Sequence, residues 1–301
     1  MEGRVIKSFG NRFIVQTEMG TLDCGLRGRM RLDDSHTGTP VAVGDNVVVA
    51  LEEAPHGVIE SVLPRRNRLS RPDVHNPDCE QILVANCDQL VVVAAVAKPR
   101  LKHGAIDRFL LCGEKAGLRC LVVLNKIDLA PADDFEPTRQ VYANAGYPVL
   151  LTSALEGLGL DGLKSAVQSK TSIFAGHSGV GKSSLLNALQ PGLKLRTREV
   201  SYATARGTHT TTRIELHPLD FGGFIADTPG LRAIGLWQLA PEELPHLYPE
   251  FTSHLGTCRF DNCCHVAEPG CGVKEAVGRG TISPERYEGY LRIRESLQDG
   301  D

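Results

Sequence analysis

Over residues 1–71 the apolar positions come as short runs. They are Val5-Ile6, Phe13-Ile14-Val15, Val41-Ala42-Val43 through Val47-Val48-Val49, and Gly57-Val58-Ile59, with turns such as Gly10-Asn11 between them. No helical periodicity of useful length interrupts them. Val41 to Val49 reads as a strand pair or one bent strand. Short strands punctuated by glycine predict a small β-barrel, with an OB-like barrel as first choice. Arg71-Pro72-Asp73 through Asn76-Pro77-Asp78 reads as an irregular linker.

From residue 80 to 235 the rhythm changes. Gln89-Leu90-Val91-Val92-Val93-Ala94-Ala95-Val96 is a near-continuous apolar run, as expected of a strand buried on both faces. Ile106, Phe109, Leu110 and Cys112 recur at helical spacing, and residues 120–124 form the next buried strand. A helix over 138–144, a strand over 148–151, a helix over 160–167 and a strand over 171–175 follow. This alternation predicts a mostly parallel sheet with helices on both faces. In residues 236–301, Ser283-Pro284 opens a last helix with Tyr287, Tyr290, Leu291 and Leu297 near one face; its arginines are open to RNA or solvent. The expected organisation is therefore an OB-like barrel (1–71), an α/β domain (80–235) and a helical C-terminal domain (236–301).

Composition adds limits. A chain of 301 residues, 42% hydrophobic, has room for sizeable cores. The net charge of −3 argues against wholesale coating of nucleic acid. Local basic clusters remain at Arg27, Arg29, Arg31 and at Arg65, Arg66, Arg68, Arg71, so RNA contact by the barrel is expected. Met1-Glu2-Gly3-Arg4 lacks the apolar run of a signal peptide, and no segment is apolar enough to span a bilayer. A cytoplasmic monomer without membrane contact is expected. The cysteines number nine; Cys87, Cys112 and Cys120 sit in apolar or mixed segments and read as buried free thiols.

Chemistry concentrates in a few stretches. Gly176-His177-Ser178-Gly179-Val180-Gly181-Lys182-Ser183 matches the phosphate-loop pattern G-x-x-x-x-G-K-[ST], between a strand and a helix that continues from Ser184. Glycines let the backbone wrap phosphates, and the free N–H groups of the helix start point at them. Lys182 is placed for the β- and γ-phosphates and Ser183 for Mg²⁺. Asn125-Lys126-Ile127-Asp128 closes a strand in the manner of a guanine-reading motif. Guanine offers two neighbouring donors that one carboxylate, Asp128, can accept; adenine would leave it unsatisfied. Asn125 is expected at the base edge and the Lys126 stem over the ring. Ser153 and Ala154, in Thr152-Ser153-Ala154, follow a further strand on the guanine side.

Thr208-His209-Thr210-Thr211-Thr212 looks like a first switch, where a threonine hydroxyl, Thr211 by preference, completes the Mg²⁺ shell. Asp227-Thr228-Pro229-Gly230 is a D-x-x-G pattern: Asp227 for Mg²⁺ through water, Gly230 for the γ-phosphate. Ordinary GTPases place Asn-Lys-x-Asp last; here it precedes the phosphate loop, which is a circular permutation. Leu231 stands where many GTPases carry a water-orienting glutamine, so His209 becomes the candidate for that task. Cys258, Cys263, His265 and Cys271 form C-x4-C-x-H-x5-C, a donor set for one structural Zn²⁺; Cys264 is left out.

Together with Gly235-Leu236-Trp237 and Pro249-Glu250-Phe251, these motifs resemble the ribosome small-subunit-dependent GTPases, the RsgA (YjeQ-like) circularly permuted family. His177 and Thr208 depart from its usual residues. The resemblance implies a multidomain α/β protein: an OB-fold, a permuted GTPase domain and a zinc domain that grip the RNA of the small subunit. Its partners would be GTP, GDP and the small (30S) ribosomal subunit with its 16S rRNA. It implies GTP hydrolysis, stimulated by the subunit late in maturation, and places the family's proposed catalytic histidine on His209. Rival readings are a permuted GTPase of the large subunit, an RNA-binding scaffold merely stabilised by GTP, and an ATP-dependent kinase.

Overall fold

Alternation along the first strands builds a closed barrel. In β2 (Arg12–Thr17), β3 (Gly20–Leu26), β4 (Asn46–Leu51) and β5 (His56–Val62) every second side chain turns inward, so Phe13, Val15, Leu22, Cys24, Val47, Val49 and Ile59 fill the interior. The first strand, β1 (Glu2–Phe9), pairs with β2 and with β4, and β3 runs parallel to β5, which closes the barrel in the OB manner. The computed structural model describes residues 1–28, 40–73, 76, 79–193, 214–227 and 236–299.

A register shift between Val5 and Lys7 turns two successive side chains of β1 to different cores. Val5 enters the barrel interior and Ile6 the core of the α/β body. The barrel is thus continuous with the body. β1 also meets β12 (Glu215–Pro218) at Lys7 and Glu215, whose side chains form an ion pair.

The body is the α/β sheet that the apolar runs predict. Its strands are β8 (Gln89–Ala95), β9 (Arg119–Asn125), β10 (Val149–Thr152), β11 (Thr171–Ala175), β12 and β13 (Phe224–Asp227). Among the described residues their order is β10-β9-β8-β11-β13-β12, parallel except where β12 joins β13. Every residue of β8 is buried. Leu90, Val92 and Ala94 face α1 (His103–Lys115) and α2 (Ala132–Asn144); Val91, Val93 and Ala95 face α3 (Leu160–Val167) and α4 (Lys182–Leu189). Burying a valine or leucine contributes about 1.5–3 kcal/mol, so a strand covered on both faces anchors the whole sheet.

Residues 236–299 continue the core on the α1 side. Tyr248, Phe251, Val273 and Ala276 join it, as do Tyr290 and Ile293 of α6 (Pro284–Gln298). The Ser283 hydroxyl accepts from the Arg286 N–H and caps α6 as its Ser-Pro start predicts.

Several elements differ from expectation. The stretch read as a linker begins inside a hairpin: β6 (Arg68–Pro72) pairs with β7 (Glu80–Ala85), so Arg71 and Pro72 are strand residues. Arg71 and Pro72 carry no strand pattern of their own, and their place in β6 comes from pairing with Gln81 and Glu80. Val41 to Val49 holds one strand, β4, preceded by a turn in which Asp45 accepts the Ala42 N–H. Helix α2 starts before Pro137, because Phe135 is buried and holds the first turn in place. In α6, Arg286 and Arg294 are 1% and 6% exposed, so these two arginines serve the interior, not RNA or solvent.

Candidate nucleotide site and metal centre

β11 ends in the core at Ala175, and the chain then turns sharply. Gly176 has φ +146°, and a Cβ there would lie 2.2 Å from the Val93 carbonyl oxygen. At Gly181, φ is +96° and a Cβ would lie 2.4 Å from Asn125 Nδ2. The two glycines let the loop press against the ends of β8 and β9. Lys182 begins α4, and its Nζ donates to the carbonyls of Gly176 (2.6 Å) and His177 (2.9 Å). That places the ammonium over the loop it would share with phosphate oxygens. Ser183 is half-buried and Ser184 exposed on the first turn, where free N–H groups and the helix dipole favour an anion. Ser178 and Gly179 complete the loop.

The Asn-Lys-x-Asp stretch lies directly against this loop. Asn125 ends β9, is 1% exposed, and donates from Nδ2 to the Val180 carbonyl at 2.9 Å. Its Oδ1 accepts from Thr152 Oγ1 (3.1 Å) and from the Ala154 N–H (3.3 Å). Asn125 therefore ties the ends of β9 and β10 to the phosphate loop, and both ends of its amide are engaged by protein groups. Lys126, at φ +66°, donates from Nζ to the Gly179 carbonyl at 2.6 Å and also to the Lys98 carbonyl. Burial lowers its pKa against the pull of Asp128. Asp128, one residue beyond Ile127, accepts from Ser153 Oγ at 2.5 Å, and Ser153 Oγ accepts the Glu156 N–H. Phosphate-loop and purine-side residues about 50 positions apart in sequence thus share one pocket rim.

Beside the loop, the His177 ring meets Phe109 of α1 edge-on at 6.1 Å. A cavity of about 290 Å³ opens there, lined by Val93, Ala95, Arg100, Phe109, His177 and Ser178. Among the remaining expected site residues, Asp227 ends β13. The Asp227 side chain and residues His209, Thr211 and Gly230 lie outside the described residues.

The C-terminal cysteines also converge. One donor atom each from Cys258, Cys263, His265 and Cys271 lies within 4.8 Å of the others. His265 Nδ1 is 3.5 Å from Cys258 Sγ and 3.4 Å from Cys271 Sγ. Three thiols and an imidazole at this spacing suit a tetrahedral metal ion with no open position. Cys271 also caps the short helix α5 (Gly272–Gly278), accepting the Lys274 N–H on its sulfur. Sequence reasoning missed the groups around the cluster: Glu268 and the hydroxyls of Tyr287 and Tyr290. It also missed the Arg286 node that fastens this segment to the body. Only the burial of a charged residue, invisible in one sequence, would have marked Arg286.

The family described as RsgA GTPase matches residues 62–237, and the RsgA N-terminal domain matches residues 2–59. A protein of Gemmatimonas aurantiaca named small ribosomal subunit biogenesis GTPase RsgA is 44% identical, over 98% of this chain and 97% of its own. The protein of that name from Thermotoga maritima is 44% identical over 90% of this chain and 87% of its own. Among solved structures, YjeQ from Thermotoga maritima superposes with a TM-score of 0.83 at 40% identity, covering 100% of this chain and 99% of the other. YloQ, described as a circularly permuted GTPase, superposes with a TM-score of 0.77 at 31% identity, covering 100% and 96%. A permuted order of motifs, a barrel ahead of them and a Cys/His cluster behind them agree with these likenesses, and the chain belongs to the RsgA GTPase family.

Proposed function

We propose that this chain hydrolyses GTP to GDP and phosphate, binds the small ribosomal subunit, and acts late in that subunit's maturation. The family, and the names carried by its relatives, support this reading. The observation that carries it is the pair of hydrogen bonds from Asn125 to Val180 and from Lys126 to Gly179. They make one pocket rim from a phosphate loop and a guanine motif whose sequence order is inverted.

In this reading Asp128, held by Ser153, accepts the two guanine donors, and the Lys126 stem covers the ring. The backbone of Gly176–Ser184 cradles the phosphates, and Lys182 transfers its ammonium from loop carbonyls to phosphate oxygens. Water attacks the γ-phosphorus as the bond to the bridging oxygen breaks; His209 orients that water, because Leu231 cannot. Gly230 senses the γ-phosphate. Ser183, Thr211 and Asp227 hold Mg²⁺, which offsets phosphate charge when bound. Cys258, Cys263, His265 and Cys271 hold one structural Zn²⁺.

The domains are 1–71 for the barrel, 80–235 for the GTPase and 236–301 for the zinc segment. Barrel and zinc segment contact 16S rRNA. Arginines of the barrel and the adjoining hairpin support such contact: Arg27, Arg66 and Arg68 are paired with Glu60, Asp88 and Glu80, but remain half or more exposed. Such surface pairs contribute about 0–1 kcal/mol, so a phosphate can replace the carboxylate. The protein works as a cytoplasmic monomer.

The test is GTP turnover with and without purified small subunits. Intrinsic turnover on the order of 10⁻³ s⁻¹ or below is expected, with a large rise on adding subunits. His209→Ala should remove the rise, and Asp128→Asn should shift preference from guanine toward xanthine nucleotides. Turnover indifferent to small subunits would refute the reading.

A further inference from the structure

We propose that Glu268, Tyr287 and Tyr290 are positioning residues of the metal centre: together they hold His265 in the left-handed backbone conformation that turns its imidazole toward the thiols. The inference rests on the reading of the cluster as a zinc site.

His265 is 3% exposed and has φ +59°. L-residues adopt this conformation rarely, and a non-glycine residue stays in it when its surroundings impose it. Here they do so through four hydrogen bonds. Glu268 Oε1 accepts the Cys264 N–H at 2.8 Å, and Oε2 accepts the Val266 N–H at 2.9 Å. In addition, Tyr290 OH donates to the Cys264 carbonyl at 2.6 Å and Tyr287 OH to the His265 carbonyl at 2.7 Å. The peptide joining 265 to 266 is thus held at both its carbonyl and its N–H. The peptide joining 264 to 265 is held at its carbonyl.

None of these bonds uses a ligand atom. They can exist before metal arrives, and they fix the direction of the imidazole. Both carboxylate oxygens of Glu268 are taken by N–H donors, so Glu268 orients and does not ligate. Burial alone would raise its pKa, but the backbone N–H groups outweigh it and hold the carboxyl down at about 2. The tyrosines are themselves fixed. Tyr290 is fully buried, with Phe251 at 5.1 Å and Tyr248 at 5.5 Å between ring centres. Groups that orient a metal ligand are tuned by hydrogen bonds of this kind.

The experiment uses the full chain and measures Zn²⁺ affinity by competition with a chromophoric chelator. Co²⁺ absorption reports the ligand set. The variants are Glu268→Gln, Tyr287→Phe and Tyr290→Phe. Glu275→Gln, on an exposed face of α5, controls for loss of charge alone. Glu268→Gln and Tyr290→Phe are expected to weaken Zn²⁺ about 10–100-fold with an unchanged Co²⁺ ligand signature, and Tyr287→Phe to weaken it in the same direction. Glu275→Gln should stay at the parent affinity. Affinities that stay at the parent value in all three variants, or an equal loss in Glu275→Gln, would overturn the proposal. Should Glu268→Gln fail to fold, the tyrosine variants decide by themselves, since each removes one hydroxyl. A parent chain that takes up no Zn²⁺ would remove the zinc reading, and this inference with it.

Discussion

Arg286 Nη1 donates to Asp107 Oδ1 at 2.5 Å, with the two side chains 1% and 0% exposed. The partners are 179 residues apart in sequence, one on α6 and the other on α1. Arg286 Nε donates to Glu250 Oε1 at 2.6 Å, and the guanidinium lies 4.6 Å from the centre of the Tyr248 ring. Tyr142 OH adds a bond to the same Asp107 oxygen at 3.1 Å. This buried node fastens the segment that carries the Cys/His cluster to the helix that lines the cavity beside the phosphate loop.

Removing the arginine leaves two buried carboxylates without their cation. Breaking a buried pair from one side costs about 3–5 kcal/mol, so Arg286→Ala should lose stability on that scale in urea titrations. A loss within about 0.5 kcal/mol, typical of an innocuous surface change, would show that the node is not structural.

Asn125→Ala removes the bond to Val180 and leaves Thr152 Oγ1 and the Ala154 N–H without their shared acceptor. An unsatisfied buried group costs about 1–3 kcal/mol, which corresponds to a weakening of GDP binding on the order of 5–150-fold. Fluorescent-nucleotide titration measures it. The parent affinity in the variant would mean that the loop holds its shape without this brace.

Acid should loosen the join between strands β8 and β11. Asp88 Oδ2 accepts the Thr171 N–H at 2.7 Å and Oδ1 accepts from Arg66 at 2.9 Å. Burial pushes the Asp88 carboxyl up, but these donors outweigh it and hold it below its usual range. A depressed carboxyl contributes stability that is present above its unfolded pKa and lost as pH falls through the folded one. Asp88→Asn should therefore flatten the acid limb of the stability profile below about pH 4. An unchanged limb would exclude Asp88 as a source.

Thiol reactivity should divide by burial. Burial pushes Cys87 and Cys112 up to about 12 and Cys24 up to about 11, and it raises Cys120 as well. Only thiolates react quickly, so these four should resist alkylation at pH 8 until the chain is denatured. Peptide mass mapping before and after denaturation checks this; early labelling of Cys112 would show that α1 opens readily.

Much of this protein is written locally. The apolar run of β8 announces a strand covered on both faces, because a residue that meets no water need not alternate. Gly176 and Gly181 are legible because their backbone angles exclude other residues. The spacing of Cys258, Cys263, His265 and Cys271 likewise names its chemistry, since a metal ion accepts few donor sets. What the tertiary structure alone decided depends on partners distant in sequence. Pairing with β7 keeps Arg71 and Pro72 in β6, where their own residue types suggest a linker. A shift in register sends Val5 and Ile6 to different cores. The burial of Arg286 and the double hold on His265 arise because α6 packs where it does. Local pattern reports backbone preference and ligand type; ion pairs, clamps and strand partners need coordinates, because their energies depend on separations in space rather than along the chain.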